Sequence, residues 1–187
     1  MKKRLPLLLL GALLAACMSS SDATSPEQHT ADFHTENAQR LYDGGHYEKA
    51  LQQFNKALEL ESEDESALLG RAWSLLFLGE SQAIQGNRKA DDTLEAAEAA
   101  FLKLQEVDYG ANQFKVDLGL GKIHVIYGNL YATRARLIGD RSTGRGPSAS
   151  EDQAVEASLT QRDTEFLEAQ KYFKAVLRAN MQYTPAR

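Results

Sequence analysis

Small, apolar and polar positions recur along this chain at helical spacing. Ala38 and Leu41 are followed by Gly45, Tyr47, Ala50, Phe54 and Ala57, and then by a polar turn. The opening then returns as Ala72, Leu75 and Gly79, all three displaced by the same step from Ala38, Leu41 and Gly45. Steps of three and four put Ala50, Phe54, Ala57 and Leu58 on one helix face. The pattern predicts a helix over Phe33–Asp43, a break at Gly44-Gly45, and a second helix over Tyr47–Leu60. Tyr47 and Phe54 are expected to fill the space between helix pairs. Ser62 to Glu65 has the form of a capping box for a third helix, Asp64–Gln85. That helix is apolar nearly all round, which predicts burial or a binding face. A loop about Gly86–Lys89 precedes a fourth helix, Asp92–Val107, in which Ala97, Phe101 and Leu104 repeat the earlier spacing. A fifth helix is predicted over Asn112–Leu137, with Leu118, Gly121, Val125 and Gly128 in repeat-like positions. A Gly/Ser/Pro-rich loop, Gly139–Ser150, leads into a capping box at Ser150–Gln153 and a sixth helix to about Asn180.

The step and the residue types resemble a tetratricopeptide repeat, a helix–turn–helix unit of about 34 residues. The resemblance is strong over Asn37–Gly79 and weakens toward Tyr183. It implies an all-α solenoid of helical hairpins, about three helix pairs over residues 33–187, with the third elongated into a protruding hairpin. In this family the first helix of each pair lines a concave groove for partner segments. Carried over by spacing, that lining is Gln39, Tyr42, Leu69, Trp73, Leu76, Phe77, Leu118, Lys122, Val125 and Ile126. The family is almost wholly non-enzymatic. Pro185-Ala186 has the form of a further repeat's first turn, so the array is expected either to continue or to have its last face covered.

The N-terminus carries an address. Lys2, Lys3 and Arg4 precede a short apolar run, Leu5–Leu13, too short for a spanning helix. Leu14-Ala15-Ala16-Cys17 is similar to a bacterial lipobox, which implies a signal peptide over residues 1–16 and acylation of Cys17, the chain's one cysteine. Met18, where an inner-membrane lipoprotein commonly has Asp, implies the outer membrane, with the chain facing the periplasm. Residues 17–32 read as the acylated cysteine and a polar tether reaching roughly 20 Å.

Charge narrows the partners. The formal net charge of −5 becomes −8 once the leader's three cations are removed (−5−3). Such a surface suits neither nucleic acid nor anionic lipid, so attachment to the membrane is expected through the acyl chains alone. Arg134, Arg136, Arg141 and Arg145 reverse the sign locally, which marks a basic tip on the long hairpin. The four histidines have no ligand-like spacing, and no glycine-rich phosphate loop or nucleophile elbow is present, so neither metal, cofactor nor catalytic residue is assigned. Glu48, Glu59, Glu61 and Glu63 read as a solvated face. Three classes follow: a groove that holds a partner protein, a self-associating subunit that docks through its last repeat face, and, least supported, an enzyme with a cleft in the long hairpin.

Overall fold

The computed structural model describes residues 30–107, 110, 112–142, 146 and 148–182. The leader, Cys17, most of the tether, Arg145 and Pro185-Ala186 lie outside the described residues. Six helices account for nearly all of the rest: α1 (Ala31–Asp43), α2 (Tyr47–Leu60), α3 (Glu65–Ile84), α4 (Ala90–Val107), α5 (Gln113–Ser142) and α6 (Ala149–Gln182). No strand occurs among the described residues, and the chain is all-α.

Helix ends follow from local capping chemistry. Thr30 caps α1 by accepting the Phe33 amide on Oγ1 at 3.2 Å, so this helix begins two residues before Phe33 and takes in the end of the expected tether. Gly45, at φ +75°, closes α1 in a Schellman arrangement: the Gly45 amide donates to Tyr42 and the His46 amide to Leu41. The third helix is capped by Asp64 and not by Ser62. One Asp64 oxygen accepts the Ser66 and Ala67 amides at 2.9 and 3.1 Å, and the other accepts the Thr35 hydroxyl at 2.8 Å. This carboxylate therefore closes α3 and ties it to α1. Asp64→Ala is expected to cost about 1–2 kcal/mol in chemical denaturation, with a smaller loss for Asp64→Asn. At α6 the capping box is Ser148/Glu151, two residues ahead of the expected one. Ser148 Oγ accepts the Glu151 amide at 3.3 Å while Glu151 accepts the Ser148 amide at 2.9 Å. Gly139 does not stop α5, which continues to Ser142.

Each helix packs along its successor, and α3 also touches α1 and α5. Four helices thus contact α3, which accounts for a sequence that is apolar nearly all round. Two buried clusters form the core. One holds Ala38, Ala50, Phe54, Ala57 and Ala67; the other runs from Leu68, Ala72 and Leu76 through Phe101 and Leu104 to Val116, Leu120 and Ile123. Glu48, Glu59, Glu61 and Glu63 are exposed.

Bare glycine backbone lets the helices meet. A Cβ on Gly70 would stand 2.1 Å from Phe54 Cζ, and one on Gly119 would stand 2.3 Å from Phe101 Cζ. The same phenylalanine-on-glycine contact therefore joins α2 to α3 and α4 to α5. A second contact recurs across two hairpin turns: a Cβ on Gly79 would stand 2.8 Å from Leu94, and one on Gly128 would stand 2.5 Å from Phe166. At the first turn only His46 separates the corresponding Gly45 and Tyr47. Between Gly79 and Leu94 lie the loop about Gly86–Lys89 and the helix ends beside it, and between Gly128 and Phe166 lies the whole outer part of the long hairpin. These two turns span more residues than the first, and the extra residues extend the helices on either side. With 30 and 34 residues, α5 and α6 reach roughly 45 and 50 Å.

Candidate partner-binding groove

The contacts of α3 with α1 and α5 bring four of the ten expected groove residues together. Trp73 and Phe77, four apart on α3, lie with ring centroids 5.8 Å apart. Tyr42 comes from α1, with its ring 6.1 Å from Phe77. Lys122 comes from α5 and places Nζ 4.7 Å from the Phe77 centroid and 6.0 Å from that of Trp73. A fifth member, Tyr47 at the start of α2, stacks on Phe77 at 5.1 Å and meets Tyr42 edge-on at 5.6 Å. Spacing alone assigns Tyr47 to packing between pairs. The signal for its observed place is its position five residues beyond Tyr42, across a tight two-glycine turn.

All five side chains are partly exposed. Trp73 is core on one side, where its ring meets buried Phe101 edge-on at 5.4 Å, and surface on the other. Leu69, Leu118 and Val125 are half-buried, and Gln39 is exposed and donates to Asp43 at 2.8 Å. Leu76 and Ile126 do not line the surface: Leu76 is fully buried and Ile126 nearly so. Helical spacing placed these two positions on the expected lining, but they turn inward between the helices.

Burial shifts the tyrosines. Tyr42 is pushed up to about 12, first by burial and then by Tyr47 and Asp43 beside it. In the unfolded chain a tyrosine releases its proton near 10, so between these values the unfolded state binds fewer protons. Stability is therefore fully present below pH 10 and is lost as pH rises toward 12. An ultraviolet absorbance titration is expected to show late-ionising tyrosines, with unfolding setting in over the same window. Tyr127 and Tyr172 are raised in the same direction, again first by burial and then by Glu98.

A second cluster holds the long hairpin together. His124 Nδ1 on α5 lies 2.8 Å from Glu165 Oε2 on α6, each side chain 14% exposed. Tyr172 stacks on the imidazole at 5.5 Å. Sequence spacing could not join His124 to a partner so far along the chain.

The basic tip divides. Arg134 pairs with Asp91 at the start of α4 and lies over Tyr131, so it fastens α5 to α4 and does not belong to a free tip. Arg136 and Arg141 are exposed near the end of α5.

A shallow, open depression of about 280 Å³ borders Tyr47, His46 and Leu78. Among the described residues no group of three or more histidine, cysteine or acidic side chains has a metal-binding arrangement. No described helix is long and apolar enough to cross a membrane. No family model matches the chain, and no curated protein or solved structure shows significant similarity to it.

Proposed function

We propose that this chain is a lipid-anchored, tetratricopeptide-like scaffold that holds a segment of a partner protein in a cell-envelope assembly. The observation that carries the reading is the meeting of Tyr42, Trp73, Phe77 and Lys122 from α1, α3 and α5 on one partly exposed surface, with Tyr47 beside them. Half-exposed aromatic clusters are characteristic anchor points in protein interfaces. The recurring phenylalanine-on-glycine contacts support an arrangement of three helical hairpins in sequence. Anchoring rests on the leader and Cys17, with the outer membrane favoured by Met18. Two measurements test it. Cys17→Ser is expected to abolish fatty-acid labelling and release the chain from the membrane fraction. A partner that co-purifies with the full chain is expected to be lost in a Tyr42→Ala/Tyr47→Ala variant and kept in Arg136→Ala/Arg141→Ala. The reverse pattern would reject the groove.

A second reading, a subunit docking through its last helix face, has one specific observation behind it. Leu58 and Leu177 each follow a phenylalanine, Phe54 and Phe173, by four residues. Leu58 is partly buried against both core clusters, whereas Leu177 is 62% exposed. Head-to-tail stacking of copies is disfavoured because α1 has charged Glu36 two residues before Ala38, where α3 has Gly70 two before Ala72. Mass independent of concentration in sedimentation equilibrium is therefore expected. A concentration-dependent mass that Leu177→Glu abolishes would favour self-association instead.

A further inference from the structure

We propose that the Trp73/Phe77 ring surface is the seat for a cationic side chain of the bound segment, guanidinium above all, and that Lys122 fills this seat in the unbound chain. The proposal rests on the groove reading above and names the chemistry of its anchor. Aromatic faces carry negative electrostatic potential and attract cations within about 6 Å of the ring centroid. The Lys122 ammonium lies within that range of both rings and joins no ion pair or hydrogen bond among the described residues. Among the described residues, its charge faces the two rings.

The surroundings favour a cation as well. Phe77 is fixed by Tyr47 stacked at 5.1 Å, Tyr42 at 6.1 Å and Trp73 at 5.8 Å, so the surface is formed before a ligand arrives. The Asp43 carboxylate lies close enough to Tyr42 to hinder its ionisation, and Glu48 follows Tyr47 at the start of α2. The chain as a whole is net negative, at −5. An incoming carboxylate over Trp73 and Phe77 would meet ring faces, with Lys122 as the cation that contacts them. A guanidinium, by contrast, is planar and weakly hydrated and stacks on aromatic faces better than a compact ammonium does. Lys122 sits on a flexible stem and can swing away, which makes it a displaceable occupant.

The test uses the full chain and two small probes, arginine amide and citrulline amide, its isostere with a neutral side chain. Trp73 is the chain's single tryptophan, so its emission reports the seat directly. The expected result is a saturable change with arginine amide and none with citrulline amide at matched ionic strength. Lys122→Met, which keeps the apolar stem, is expected to tighten arginine amide about three- to fivefold by removing the competing cation. Lys122→Ala, checked for an unchanged melting temperature, should agree. Equal responses to both probes, no saturable response in any form, or weaker binding in the Lys122 variants would each overturn the proposal. The last outcome would make Lys122 an anion contact. Partner capture at Tyr42 that persists while arginine amide stays silent would remove the cation seat and leave the groove standing. Loss of capture would remove the groove itself.

Discussion

Phe101→Ala is expected to lower stability by roughly 3–5 kcal/mol, the largest effect of any single truncation considered for this chain. The side chain is fully buried, sits on the bare backbone of Gly119, and is the edge partner of Trp73. Its removal opens a cavity where α3, α4 and α5 converge. Helices that are already locked by neighbours on both sides collapse little into such a space. Domains of this size hold only about 5–15 kcal/mol in total, so the loss takes a large share and should lower the melting temperature by roughly 10 °C. Trp73 gives an independent readout, because losing Phe101 should move its emission to the red. A loss below about 1 kcal/mol would mean that α4 and α5 are not joined through this ring.

Gly70→Ala sets two effects of opposite sign against each other. Alanine in place of glycine inside a helix ordinarily gains about 0.5–1 kcal/mol. Here the new Cβ would lie 2.1, 2.4 and 2.7 Å from three atoms of the Phe54 ring, which is fully buried and has no space to retreat into. Overpacking of this kind costs about 1–3 kcal/mol, so net destabilisation is expected. Gly139→Ala is the matched control. It is also helical, with nothing within 4 Å of the added carbon, and should be neutral or stabilising. Phe54→Leu in the Gly70→Ala background should recover part of the loss while costing stability on its own. Additive behaviour in that double-mutant cycle would show that the two residues do not meet.

These two phenylalanines show what the chain's spacing reveals and what it withholds. The bounds of α2, Tyr47–Leu60, were legible because two glycines precede it and a polar turn follows. The small residues Ala38, Ala50 and Ala57 were legible as close-packing positions, and all three are fully buried. Caps were less legible. Ser62 and Ser150 fit the capping pattern, but Asp64 and Ser148 have the geometry, and a two-residue choice among nearby polar groups depends on the path of the preceding turn. Gly139 has the form of a helix stop, yet α5 continues to Ser142 and packs along α6. The aromatic surface was half legible: the α3 pair Trp73 and Phe77 lies on one helix, whereas Tyr47 and Lys122 reach it from helices whose placement depends on tertiary packing. Leu76 and Ile126 share the apolar spacing of the partly exposed positions beside them, and only packing between helices separates buried from exposed. His124 and Glu165 could be joined only once the length of the third hairpin was known.

The central claim is that the surface shared by α1, α3 and α5 receives a partner. The most direct measurement places a photoreactive residue at Tyr42, Lys122 or Arg141 of the full chain and irradiates intact cell envelopes. The expected result is one discrete adduct, the same from Tyr42 and Lys122, absent from Arg141, and lost when Tyr47→Ala is added. Adducts from Arg141 alone, or none from either groove position, would contradict it.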